Sequence, residues 1–239
     1  MDWTLHPLGD QAVLIEFGNE ISEEINHIVQ TAASSLDDWQ PEWMVEYIPA
    51  FTTVTLFYDP LYIANHKTSQ NQLPYDWVHQ QVSEFLSTLT IKETGPARTV
   101  EIPVCYGGDL GPDLSYVAEK NGLTEEEVIE RHMNGDYLVY MIGFAPGFPY
   151  IGGMDPAIAA PRRKDPRLKI PAGTVGIAGA QTGVYPLETP GGWQLIGRTP
   201  SKMFDPSNEE APTLLQAGDR IQFRRITEEE YENLKEGGA

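Results

Sequence analysis

Cysteine is almost missing from this chain of 239 residues: Cys105 stands alone. One cysteine closes no internal disulfide. It lies in "VEIPVCYG" (residues 100–107), which reads as a strand, so a buried small hydrophobe is expected there. No neighbouring base marks it as a nucleophile. Cationic side chains are scarce as well, 16 against 35 acidic ones, for a formal net charge of −19. Nucleic-acid binding depends on Lys and Arg neutralising phosphates, so no nucleic-acid partner is expected. Long apolar runs are lacking too. The longest, residues 137–145, is far shorter than the ~20 residues that span a bilayer. No basic stretch followed by an apolar core opens the chain, so a cytoplasmic location without a membrane partner is expected. There is no P-loop and no Cys/His cluster with metal-ligand spacing, and no metal site is expected. The glycines of "GTVGIAGAQTG" are spaced unlike a dinucleotide fingerprint.

Apolar residues make up 41% of the chain and aromatics 10%, enough for one large core or two small ones. Charge is unevenly shared. Residues 1–97 hold 14 acidic side chains against Lys67 and Lys92. "QAVLIEF" (11–17) reads as a strand. Ser22 is a natural N-cap for a helix with Ile21, Ile25, Ile28, Val29, Ala32, Ala33 and Leu36 at helical spacing. "WMVEYIPA" and "TTVTLFY" read as strands, residues 64–74 as a loop, and "YDWVHQQVSEFLSTL" as an amphipathic helix. With "RTVEIPV" as a further strand, the order predicts a ferredoxin-like α+β domain over residues 1–95, ending near residues 93–98. An exposed edge of its sheet would allow a homodimer.

Residues 98–239 open with two short helices, the second capped by Thr124 and Glu127. The pair resembles a helix-turn-helix, but "EEEVIE" stands where a DNA-reading helix needs Arg, Lys, Asn or Gln. Between residues 143 and 200 lie 11 of the 22 glycines and 9 of the 19 prolines, which predicts a compact β-barrel or sandwich. "DRIQFRRI" reads as a late strand and "TEEEYENL" as a terminal helix.

Chemistry concentrates in this second part. "PRRKDPRLKIPAG" places Arg162, Arg163, Lys164, Arg167 and Lys169 in eight positions, stiffened by prolines. It is either a solvated loop or a local field for an anion, for which Arg offers a fixed fork. Gln181, Thr182, Tyr185, Trp193 and Arg198 follow, suited to a barrel rim or to the lining of a small-molecule groove. In "GFAPGFPYIGG", Phe144 and Phe148 read as walls of a lip, with one of the two expected to point into the barrel, Pro146 shaping the lip and Gly147 permitting close approach of a ligand or partner. His132 ends the second helix. A lone His there is either structural or a proton-transfer group.

Four motifs in order, "IPVCYGGDLGPDL", "YMIGFAPGFPYIGGM", "PRRKDPRLKIPAGTVGIAGAQTGVYP" and "PGGWQLIGRTP", closely resemble the B-subunit family of the prokaryotic 5-oxoprolinases, whose members are also described as histidine kinase A inhibitors. The module is similar to allophanate hydrolase subunit 1 and to part of urea carboxylase. The resemblance implies a cyclophilin-like β-barrel domain over residues 98–239. It implies action with subunits C and A to open 5-oxoproline to L-glutamate at the expense of ATP with Mg2+, shared with a partner subunit. It also implies, as an alternative, inhibition of a sensor histidine kinase. Under it His132 is the candidate catalytic residue, and Arg162, Arg163, Arg167, Lys169 and Arg198 are candidates for phosphate and carboxylate.

Overall fold

The computed structural model describes residues 2–67, 72–91 and 97–237. Part of the expected loop, residues 68–71, and most of the expected boundary, residues 93–96, lie outside the described residues. The chain gathers into two compact units, Met1–Gly95 and Pro96–Ala239.

The first unit runs β1 (Thr4–Leu8), β2 (Ala12–Glu16), α1 (Glu23–Trp39), β3 (Met44–Pro49), β4 (Thr53–Tyr58), α2 (Pro60–His66) and α3 (Pro74–Thr88). Ser22 caps α1 by accepting from the Ile25 N–H at 3.2 Å, and the helix buries Val29, Ala32, Ala33 and Leu36. Ile21, placed on the same stripe by spacing, precedes the helix and is exposed. Helix α3 buries Val78, Val82 and Leu86. Trp39 stacks on Phe85 at 4.5 Å.

The expected fold class is corrected here. No separate ferredoxin-like domain forms. "RTVEIPV", expected as a further strand, does form one, but it enters the barrel sheet beside residues 220–225. The four strands of the first unit pair in the order β1-β2-β4-β3, all antiparallel, and the edge place is taken by Thr4–Leu8. That strand hides from a periodicity reading: it is five residues long, carries Pro7 and is exposed at four of five positions. Helix α2 is hidden for a similar reason. It has seven residues, too few for a helical stripe, and is set by Pro60 in its first turn and by Asp59, whose carboxylate accepts from the Leu61 and Tyr62 N–H groups.

The second unit is a closed seven-stranded barrel with a few helices. It contains β5 (Thr99–Tyr106), α4 (Leu114–Asn121), α5 (Glu125–Met133), β6 (Tyr137–Ile142), β7 (Pro149–Gly152), β8 (Arg167–Ile170), β9 (Thr174–Ala178), β10 (Gln181–Val184), β11 (Thr189–Gly191), β12 (Gln194–Arg198), β13 (Arg220–Arg225) and α6 (Glu228–Gly237). The barrel order is β10-β7-β6-β13-β5-β12-β9, and β8 and β11 form a separate ribbon. Strand β5 lies parallel to β13, from Thr99 opposite Arg220 to Val104 opposite Arg225. Cys105 is buried, and burial raises its thiol pKa. The capping box of α5 is present, with the Glu127 N–H donating to Thr124 at 3.2 Å. No helix among the described residues is long and apolar enough to cross a membrane.

A polar chain runs through the apolar interior of this unit. The Thr182 hydroxyl donates to the Gly176 carbonyl at 3.1 Å, so it accepts from the His132 Nε2 at 2.8 Å. The Nδ1 of that tautomer accepts from the Tyr106 hydroxyl at 2.8 Å. Tyr137 donates to the His132 carbonyl, and Phe223 packs on the imidazole at 4.5 Å between ring centroids. Every polar atom of the ring is satisfied without water. His132 is fully buried, and burial lowers its pKa from 6.5 to about 3.

Between about pH 6.5 and about pH 3 the unfolded chain holds a proton on this imidazole that the folded chain excludes. The stability present above the unfolded value is therefore lost as pH falls through that window. A His132→Gln variant is expected to melt lower than the parent near neutrality and to lose less stability on acidification. Thermal unfolding of the full chain across that pH range checks this. Parallel curves for parent and variant would contradict it.

Candidate functional site

The turn between β6 and β7 is built by its own backbone. The Gly143 N–H donates to the Phe148 carbonyl at 3.0 Å, and the Phe148 N–H to the Ala145 carbonyl at 2.9 Å. Phe144 takes φ 67°, a left-handed conformation uncommon for a bulky side chain. The residue is 72% exposed. Gly147 also has a positive φ, but the close approach it permits is by the chain itself. A Cβ there would lie 3.0 Å from the Cβ of Phe204 and 3.1 Å from the Met203 carbonyl.

Phe148 turns inward and becomes the hub of an aromatic cluster. It meets Phe144, Tyr150, Tyr185 and Trp193 edge to face, with ring centroids 5.4–5.8 Å apart. Around this cluster opens a cleft of about 200 Å³, completed by Arg162, Gln181, Pro190, Gly191 and Gly192. Gly191 is required by the wall: a Cβ would stand 2.5 Å from the Tyr185 hydroxyl oxygen. Burial pushes the Tyr185 phenol up to about 12, against the opposing pull of the Trp193 N–H and of the Arg162 and Arg167 charges. It is a neutral hydroxyl near neutrality. Flat apolar walls, an amide, a phenol and one guanidinium suit a small planar ring bearing an anionic group.

The cationic segment is pinned rather than loose. Asp113, buried at the start of α4, accepts from Arg167 Nη2 at 2.8 Å, from Arg163 Nη1 at 3.2 Å and from the Leu195 N–H at 2.7 Å. The Arg163 N–H donates to the Gly192 carbonyl at 2.6 Å, and Gln194 donates to the Pro161 carbonyl at 2.8 Å. Arg162 lies between these two anchors, exposed, and no carboxylate among the described residues pairs with it. A second concavity, of about 390 Å³, is lined by Asp113, Tyr116, Arg162, Arg163, Lys164, Asp165 and Gln194.

The expected site residues therefore divide. Phe144, Phe148, Arg162, Gln181, Tyr185 and Trp193 meet in the aromatic cleft. His132 and Thr182 do not line it; they bond each other inside the unit. Pro146 is exposed outside the lining and Gly147 packs on residues 203–204. Arg163 and Arg167 are engaged by Asp113, Lys169 pairs with Glu188 at 3.0 Å on the surface, and Arg198 donates to the Ala172 carbonyl at 2.9 Å. Sequence reasoning missed Asp113, Tyr150 and Pro190. Asp113 had no local signal, because its partners lie 50 and 54 residues away.

Comparison with known proteins agrees over nearly the whole chain. The family model described as "Carboxyltransferase domain, subdomain C and D" matches residues 3–215. A protein of Bacillus subtilis (strain 168), named as the B subunit of 5-oxoprolinase, is 51% identical over 234 residues, 98% of this chain and 97% of the relative. A Haemophilus influenzae protein of the same name is 41% identical over 217 residues, 91% of this chain and 95% of the relative. The crystal structure of TTHA0988 superimposes with a TM-score of 0.76 at 36% identity, covering 90% of this chain. This chain spans only 40% of that longer protein. With this identity sustained along almost its full length, the chain belongs to the family of 5-oxoprolinase B subunits.

Proposed function

We propose that this chain is the lactam-binding subunit of an ATP-dependent 5-oxoprolinase, acting with subunits C and A to convert 5-oxo-L-proline to L-glutamate. The observation that carries the reading is the aromatic cleft with Arg162, a cation with which no carboxylate among the described residues pairs, in a chain whose relatives are named as 5-oxoprolinase B subunits. The five-membered ring would lie against Phe148, Tyr185 and Trp193, with its carboxylate on Arg162 and its amide within reach of Gln181.

An unstrained lactam resists water, which is why ATP is needed. The γ-phosphoryl passes to the amide oxygen and ADP leaves. Water adds to the activated carbon, the ring C–N bond breaks as nitrogen takes a proton, and an acyl phosphate results. A second water releases glutamate and phosphate. The chain's own part is to orient the ring and hold its charge. Among the described residues no three His, Cys, Asp or Glu side chains gather as a metal site. Mg2+ would arrive bound to the nucleotide's phosphates. His132, neutral and sealed among apolar residues, is assigned a positioning role through Thr182 in β10, the strand that carries Gln181. Self-pairing would use the outer strand β3, where Val45 and Ile48 are exposed.

A second reading, docking of a segment from a sensor histidine kinase, is favoured by the exposed side chains of Phe144 and Leu168. Adding the chain to an autophosphorylating kinase tests it, and an unchanged rate at saturating chain removes it.

The enzyme reading predicts glutamate formation only when the chain, its C and A partners, ATP, Mg2+ and 5-oxoproline are mixed. Glutamate at the level of the omission controls would sink it. In that assay Arg162→Ala is expected to raise the KM for 5-oxoproline by about 10- to 100-fold, the worth of one charge-assisted hydrogen bond. Asp113→Asn should act differently, costing about 2 kcal/mol in thermal unfolding by weakening the hold on Arg163 and Arg167. A variant that unfolds like the parent would show the clasp to be idle.

A further inference from the structure

The second concavity shares a single side chain with the aromatic cleft. Arg162 lines both. Its setting is unusual for a surface arginine. The backbone on either side is tied, at the Pro161 carbonyl by Gln194 and at the Arg163 N–H by the Gly192 carbonyl. The loop around it has thus been ordered during folding, and a ligand bound by its guanidinium carries no loop-ordering cost.

The charge around the second concavity has a clear sign. Asp113 is engaged by Arg163, which lines the concavity, and by Arg167 just outside the lining, so that cluster retains one positive charge. Arg162 and Lys164 add two more, and Asp165 offsets one. In a chain of net charge −19 this is a local excess of cations. Its lining supplies guanidinium forks, an ammonium, the Gln194 side chain and the exposed ring of Tyr116. Guanidinium forks and an ammonium together match a tetrahedral oxyanion with several acceptors better than they match a lone carboxylate.

We propose that this second concavity is a phosphate compartment, and that Arg162 couples its occupation to that of the aromatic cleft. The compartment stands on its own geometry, whereas the coupling rests on the lactam reading. A phosphate group drawing on Arg162 would orient the guanidinium that also faces the ring in the first cleft. The two ligands would then feel each other through one side chain instead of through a moving domain.

The test uses the full chain and calorimetric titration with pyrophosphate, inorganic phosphate and ADP. 5-Oxoproline is titrated separately by fluorescence of Trp193, whose contribution is identified with Trp193→Phe. Saturable pyrophosphate binding is expected. Lys164→Ala, which touches only the second lining, should weaken it about threefold to tenfold and leave 5-oxoproline affinity within about twofold. Arg162→Ala should weaken both ligands. Pyrophosphate should shift the 5-oxoproline affinity of the parent and not that of Arg162→Ala. ADP binding tighter than pyrophosphate would identify a nucleotide as the source of the phosphate, and equal affinities a bare phosphate group; both support the compartment. Absence of saturable binding, or binding indifferent to Lys164→Ala and Arg162→Ala, overturns it. Coupling that persists in Arg162→Ala overturns the coupling. Phosphate binding without any response to 5-oxoproline would instead overturn the lactam reading and leave the compartment standing.

Discussion

The buried carboxylate of Asp113 is the contact on which the site depends. From the entry to α4 it engages two guanidiniums of the cationic segment and one backbone N–H at the start of β12, joining three separated segments. A buried charge is tolerated only when fully hydrogen-bonded, so the three partners are held as a set. Their convergence draws the cationic segment against the strand that follows Trp193. That arrangement leaves the exposed Arg162 lining both concavities. Charge in this unit thus has two uses. Arg163 and Arg167 are structural, and Arg162 and Lys164 are displayed.

A comparable division holds for the polar groups inside the unit. His132, Thr182 and Tyr106 form a closed relay of donors and acceptors with no exposed end at His132. Burial holds the His132 imidazole well below its ordinary pKa and favours the neutral ring near neutrality. It can set geometry. Its bond to Thr182 falls in β10, the strand whose neighbouring Gln181 lines the cleft. Alternation along that strand sends one residue inward and the next to the site.

Much of the local structure was legible. Ser22, Thr124 and Glu127 announced helix starts through side chains that reach only three residues. The strands at residues 44–49, 53–58 and 220–225 showed in their β-branched and aromatic content. The ferredoxin-like reading failed at one strand. "RTVEIPV" was rightly a strand, but nothing within it says whether it pairs with β2 or with β13, more than a hundred residues later. The place it vacated fell to Thr4–Leu8, an edge strand with a proline and little burial, which periodicity does not detect.

Sequence by itself determined the side-chain inventory of the candidate site: the aromatics of residues 144–150, the five cations of residues 162–169 and the "PGGW" segment. These are matters of composition and of short-range backbone preference. Only the tertiary structure decided which of them meet. Phe148 faces inward and Phe144 outward because the tight turn between β6 and β7 reverses the chain between them. Arg162 is available and Arg163 is not because a carboxylate 50 residues earlier has engaged Arg163. Pairing between distant segments is settled by the packing of the whole unit, since an ion pair or a strand register costs chain entropy to form, and that cost is offset only when the surrounding core closes.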